Sequence, residues 1–322
     1  MTTKLKNQGI IIEKEWSPKD WIFGGYTGIL SNEVLALDGQ WDEFLPVFEE
    51  QRTPTLETMA CVSFATCNAL ETIIKRKWGI EYNFSDRALA KMSGTTRNGN
   101  SMSRVADTVW QKGLLYEEDW PFDRERIETW SQFYSQIPAR LLDKAINFIP
   151  SIFKTNWEWV TYYNPDMLMD ALKYSPLTAA VSAWGPKVNG IYQRVTWRQN
   201  HDILIYGYEY QKYWKIYDHY ASEPFKKLAW NYNFGPVQKF NIILKADYMP
   251  KYYIPNNTLV FCAEGRGEMG MALDNKIIID DLSKVMAQFI MRNNGKIEGK
   301  TKSVTQEVWD SFPKINLKNE EL

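Results

Sequence analysis

Apolar positions along the chain change period between its first and second halves, and the change predicts a helical run followed by a strand run. From Thr58 onward, Val62, Ala65, Ala69, Leu70, Ile73 and Ile74 recur at three- and four-residue steps, the spacing of one helix face. Thr58 is placed to cap the start of this helix. Lys75-Arg76-Lys77 before Gly79 supply a basic last turn and a glycine stop. Further helices are predicted over 85–91 and 101–112, the latter ended by Gly113. Between about 176 and 244 the pattern changes. Segments 177–183, 201–209, 213–218 and 240–245 are short runs of β-branched and aromatic residues that read as strands.

These runs divide the chain into three parts. Residues 1–45 read as an extended, turn-rich lead-in containing Gly24-Gly25. Residues 46–248 carry the helices and then the strands, which predicts an α+β domain with a cleft between a helical lobe and an antiparallel β lobe. Residues 249–322 read as a small C-terminal α+β extension, with strands at 259–263, 269–273 and 276–280 and helices near 282–292 and 305–312. Asp274-Asn275 is a two-residue turn joining the last two strands.

Composition narrows the function classes. A length of 322 residues suits one large domain and a smaller one, at roughly 150 residues per domain. The net charge of −1 offers no basic field for nucleic acid or an anionic membrane. Ile10-Ile11-Ile12 is too short for a signal-peptide core, and no stretch approaches the ~20 apolar residues of a membrane span. The expected location is the cytoplasm or a virion. Three cysteines, Cys61, Cys67 and Cys262, cannot all pair. Cys61 and Cys67 stand about 600° apart around a helix, so they form neither a disulfide nor a zinc site.

Two histidines, His201 and His219, are available as bases. Cys61 falls in the first turn of the predicted helix, where unpaired N–H groups and the helix dipole favour an anion and lower a thiol's pKa. Alone, it reads as an ordinary buried cysteine. His201 alters that reading. It opens the strand 201–209, and the next strand ends at Asp218. A hairpin turning at Glu209-Tyr210 pairs positions that sum to 419, which sets His201 opposite Asp218. The carboxylate then orients the imidazole. Glu-Tyr is not a favoured two-residue turn, so a longer loop with a slipped register is the alternative, and a slip of one residue separates the pair. His219 is expected on the other face, as a surface or loop residue.

The order Cys, His, Asp, with 140 residues from Cys61 to His201, resembles the papain-like cysteine peptidases, for which about 130–150 residues is usual. Other similarities are local. Ala60-Cys61-Val-Ser-Phe resembles the family's nucleophile helix, and Asn98-Gly99 its Asn-Gly-Gly turn on the cleft rim. Gly113 to Phe122 resembles its glycine-to-Tyr-Pro-Tyr stretch, Pro176 to Val181 the strand before the histidine, and Asn200-His201 with Ile205 to Tyr208 the histidine strand. The sequence departs from the family in lacking the Cys-Gly-Ser pattern around Cys61. Asp218-His-Tyr-Ala also stands where Asn-Ser-Trp-Gly is usual.

The resemblance implies a two-lobed fold and hydrolysis of peptide bonds through an acyl-enzyme, without metal or organic cofactor. Its roles fall on Cys61 as nucleophile, His201 as base, Asp218 as orienter and Gln51 as oxyanion donor. Asn98, Gly99 and Tyr220 fall at the substrate, a peptide or protein. The family's glutamine lies six residues before the cysteine, which here is Thr55. Gln51 lies ten before and fits with four inserted residues. The lead-in is too short for the family's long inhibitory propeptide, so zymogen control of that kind is not expected. Alternatives are an acyl transferase of the transglutaminase type, a peptidoglycan amidase (whose Cys–His gap is much shorter) and a catalytically weak or inactive binding module, such as a virion component. The extension reads as a packing element, with any protein partner unknown.

Overall fold

The helix predicted from Thr58 begins three residues later, as α1 (Cys61–Trp78). In this computed structural model the described residues are 9–12, 22–23, 33–160, 164–244, 258–262, 269–273, 276–279, 286, 301–304 and 314–316. Thr58 does not cap the helix. Its hydroxyl donates to the Gln51 carbonyl at 2.8 Å, and Ala60 takes the N-cap position without a side-chain bond. The other end is as predicted: Gly79 adopts φ 65° and returns its N–H to Lys75, a conformation glycine reaches without a Cβ penalty. Nearly all of α1 is buried, from Cys61 to Ile74 and again at Trp78. It is a central helix packed on several sides, not a surface helix with one apolar stripe.

Around it, α2 (Asp86–Met92) is capped by the Ser85 hydroxyl, and α3 (Met102–Lys112) ends at Gly113. Three further elements were not predicted: α4 (Trp130–Phe133), α5 (Ala139–Ile152) and α6 (Pro165–Leu172). Helical packing is built from Ala60, Phe64, Ala90, Phe133 and Tyr134, and from Ala88, Leu115, Ile137 and Leu141. Arg87 ties this lobe together by donating to the carbonyls of Pro121, Gln132 and Phe133.

Eight strands make one sheet: β1 (Phe153–Trp159), β2 (Leu177–Val181), β3 (Lys187–Val188), β4 (Ile191–Tyr192), β5 (His201–Glu209), β6 (Tyr213–Tyr217), β7 (Phe225–Ala229) and β8 (Val237–Leu244). Their order is β1-β8-β2-β5-β6-β7-β4-β3, antiparallel throughout except at β4–β7. α1 packs against β5, β2 and β8 on one side and against α2 and α3 on the other. The α+β architecture therefore places the start of α1 beside the start of β5.

The β5–β6 hairpin departs from the predicted register. It turns through Tyr210, Gln211 and Lys212, with Glu209 opposite Tyr213. Pairs sum to 422 near the turn and to 421 at Leu204–Tyr217, with a bulge between Ile205 and Gly207.

Contacts divide the chain into units 1–245 and 246–322. The second contains a five-stranded sheet of β9 (Thr258–Cys262), β10 (Met269–Leu273), β11 (Lys276–Ile279), β12 (Thr301–Val304) and β13 (Lys314–Asn316), ordered β12-β9-β10-β11-β13. The predicted hairpin forms, with Leu273 opposite Lys276. β12 and β13 were not predicted. The helix expected near 282–292 lies outside the described residues but for residue 286, and that near 305–312 lies wholly outside them.

Candidate active site

Cys61 is the first residue of α1 and has no solvent exposure. Its sulfur accepts the backbone N–H of Asp202, the second residue of β5. His201, the first residue of β5, is equally buried. Helix start and strand start thus meet, with the sulfur held one residue from the imidazole. His201 Nε2 lies 2.6 Å from Asp218 Oδ1, just past the end of β6, and the other ring nitrogen, Nδ1, is buried without a hydrogen-bond partner.

Burial opposes charge on Asp218, but His201 and Lys226 outweigh it and hold the carboxyl well below the usual carboxylate range. Lys226 Nζ donates to Asp218 Oδ2 at 2.6 Å, and the His219 N–H donates to Oδ1 at 2.8 Å. A carboxylate can only accept, so His201 carries its proton on Nε2 and presents the Nδ1 lone pair. Sequence reading missed Lys226. The signal was the alternation of β7, in which Lys226 shares the buried face of Leu228 while Phe225 and Lys227 are exposed.

The thiol differs from expectation. Burial pushes Cys61 well above its ordinary pKa, and Asp202, Glu57 and Asp218 push it further, opposed by the Asp202 N–H. The helix N-terminus is where the sequence placed it, but lack of water and three nearby carboxyls override the dipole.

Gln51 is fully buried beside these groups, and its Nε2 donates to Glu57 Oε1 at 2.7 Å and to Tyr220 Oη at 3.2 Å. The Tyr220 hydroxyl donates to Glu57 Oε2 at 2.8 Å, and its ring lies 5.4 Å from that of His201. Glu57, absent from the sequence reading, therefore clasps the amide and the phenol together. Tyr220 also lines a cavity of about 430 Å³ with Arg52, Glu57, Trp184, Glu223 and Lys226.

Asn98 and Gly99 are not among the residues lining that cavity; residues 9–11 run alongside Gly99 and Asn100. Asn100 donates its N–H to the Gly9 carbonyl at 2.9 Å and accepts the Ile11 N–H at 2.7 Å, as a parallel bridge. Gly99 has φ 91°, and a Cβ there would meet the Gly9 oxygen at 1.9 Å; one on Gly9 would meet the Met59 oxygen at 2.4 Å. Residues 9–11 are thus seated between Gly99-Asn100 and Met59, two residues before Cys61. Ile10 is 4% exposed.

His219 is not a surface residue. It is 1% exposed, its Nδ1 lies 3.3 Å from Asn68 Nδ2, and burial pulls its pKa down to about 3. It packs on Phe64, one helical turn along from Cys61. Among the described residues no cluster of three or more His, Cys, Asp or Glu is arranged to hold a metal ion. No helix among them is long and apolar enough to cross a membrane.

A family model described as papain family cysteine protease matches residues 57–226. A search of curated proteins gave no match. Among solved structures, the cysteine protease and lectin-like domains of Cwp84, a surface layer associated protein of Clostridium difficile, are 15% identical, with a TM-score of 0.51 over 64% of this chain and 51% of that one. Bromelain protease from Ananas comosus is 17% identical, with a TM-score of 0.48 over 63% of this chain and 97% of that one. Digestive procathepsin L 3 of Tenebrio molitor is 16% identical, with a TM-score of 0.48 over 66% and 71%. At 15% identity the likeness to the Cwp84 domains shows the fold alone.

Proposed function

Because the chain belongs to the papain family of cysteine proteases, we propose that it is a cysteine peptidase that cleaves peptide bonds through Cys61, His201 and Asp218. The observation that carries this reading is the convergence of the two element starts: Cys61 bonded to the backbone of Asp202, next to a His201 oriented by an anionic Asp218. His201 Nδ1 takes the thiol proton, and the resulting thiolate attacks the carbonyl carbon. The same proton passes to the leaving amine, which departs and leaves the acyl group on sulfur. His201 then takes a proton from water, whose oxygen releases the acid and restores the thiol. Asp218, steadied by Lys226, keeps the imidazole in one tautomer throughout. The Cys61 N–H and the Gln51 amide bind the oxyanion once that amide leaves Glu57. The 430 Å³ cavity beside Tyr220 and the rim at Asn98-Gly99 are the surfaces for a peptide or protein substrate.

A second reading, a catalytically weak or inactive module on this scaffold, is favoured by one observation: Glu57 occupies the Gln51 amide beside a thiol that burial keeps neutral. Iodoacetamide labelling across pH, together with turnover of denatured protein and of cell-wall fragments, separates the readings. Peptidase action requires Cys61 to react faster than Cys67 and Cys262, and Cys61→Ala and His201→Ala each to abolish turnover. Equal reactivity of the three cysteines, or turnover surviving either substitution, would refute it. Turnover of cell-wall fragments alone would make the chain an amidase.

A further inference from the structure

Asp202 lies beside the nucleophile with no group to hold its charge. It follows His201 in β5, opposite Ala180 of β2, and is fully buried. Neither Oδ1 nor Oδ2 has a hydrogen-bond partner. An isolated carboxylate in such a place is costly, and the usual outcome is a neutral acid. Burial does raise this carboxyl well above its ordinary range. Meanwhile the main-chain N–H of Asp202 donates to the Cys61 sulfur. One residue thus solvates the sulfur through its backbone and opposes its charge through its side chain.

The other groups facing the sulfur are Glu57 from the loop before α1, Asp218 beyond β6, and the phenols of Tyr134 and Tyr220, with His201 beside them. Glu57 is held by Gln51 and Tyr220, and Asp218 by His201 and Lys226. Of the three carboxyls, Asp202 alone is unpartnered, and a charge on it opposes one on Cys61. Two like charges this close in a dry site exclude one another.

We propose that Asp202 is a positioning residue that shares a single negative charge with Cys61, so that the sulfur is charged only while Asp202 is a neutral acid. This rests on Cys61 being the reactive thiol of the proposed peptidase. In the active form the Cys61 proton sits on His201 Nδ1 and Asp202 keeps its own. When Asp202 loses its proton to solvent, Cys61 takes back the proton from His201, and the site returns to thiol and neutral imidazole. The consequence is an alkaline limit on reactivity set by Asp202.

Two measurements on the full chain test this, and neither needs peptide hydrolysis. First, NMR of carboxyl-labelled aspartate follows Asp202 before and after Cys61 is alkylated with iodoacetamide. Removing the competing charge is expected to lower the Asp202 midpoint by about one pH unit or more, a tenfold coupling. Asp86, the other aspartate raised among the described residues, lies by Cys67 and serves as internal control. An Asp202 midpoint that does not move overturns the proposal, whether or not any variant folds. Second, Asp202→Asn is expected to alkylate about tenfold faster than the parent on the alkaline side and equally fast on the acid side. Equal rates at both ends overturn it. A chain that hydrolyses no peptide but shows the coupling fails only the peptidase reading, and an active peptidase without the coupling fails only this one.

Discussion

His201 and Asp218 lie 2.6 Å apart although they are not partners in the β5–β6 ladder. Near the turn the register sums to 422, which carried straight through would set Asp218 opposite Leu204, on the face away from His201. The bulge at Tyr206 adds one residue to β5 and changes the sum to 421. Asp218 then continues the ladder opposite Ile203, two residues from His201 and on the same face. Because side chains alternate with period two, the extra residue restores the parity on which the contact depends.

That contact is expected to matter through its charge. Asp218→Asn preserves shape but leaves His201 without an anionic acceptor, and turnover should fall by about 10⁴-fold, as for other wrongly held tautomers. Steady-state kinetics on a denatured protein substrate measure it. A loss smaller than about tenfold would show that Asp218 does not orient the base.

Lys226 should be needed mainly for stability. Lys226→Met removes the cation paired with a fully buried carboxylate, and breaking such a pair costs about 3 kcal/mol or more. Denaturant unfolding of the variant reads the loss directly. A change below about 1 kcal/mol would mean that His201 alone suffices for Asp218.

Residues 9–11 are expected to limit access to Cys61. Burying one isoleucine side chain is worth about 1.5–3 kcal/mol, so deleting residues 1–12 should speed iodoacetamide labelling of Cys61 by about tenfold or more. Gly9→Ala should act in the same direction, because its Cβ would meet the Met59 carbonyl at 2.4 Å. Unchanged labelling in both variants would show that the segment does not cover the sulfur.

Glu117 gives a pH dependence of stability with a definite sign. Burial raises its carboxyl from 4.5 to about 7. The folded state therefore binds a proton that the unfolded state releases, and this stabilisation is complete below about 4.5 and lost as pH rises through about 7. Its size is at most about 3 kcal/mol. Melting curves of the parent and of Glu117→Gln across pH 4 to 8 should show the parent losing ground to the variant as pH rises. Parallel curves would rule out a raised carboxyl.

Much of the fold was legible locally. β5 spans 201–209 as its run of β-branched and aromatic residues predicted, and Ser85, Gly79 and Gly113 bound helices by the local chemistry of caps. Thr58 failed as a cap because the Gln51 carbonyl, seven residues away, captured its hydroxyl. α5 and β1, which follow one another without a turn, carry none of the punctuation that marked the other boundaries.

By itself the sequence determined the residue types of the candidate site, their order, and the element on which each stands, because helix period, strand alternation and capping are set by neighbours within a few positions. It could not determine that Tyr206 bulges, that Lys226 shares Asp218 with His201, that Glu57 clasps Gln51, or that Asp202 is buried without a partner. Those depend on register, burial and charge pairing across separate segments, whether 6 positions apart, as Gln51 and Glu57 are, or 163, as Glu57 and Tyr220 are. Their energies exist only once β5, β6, β7 and α1 are packed together.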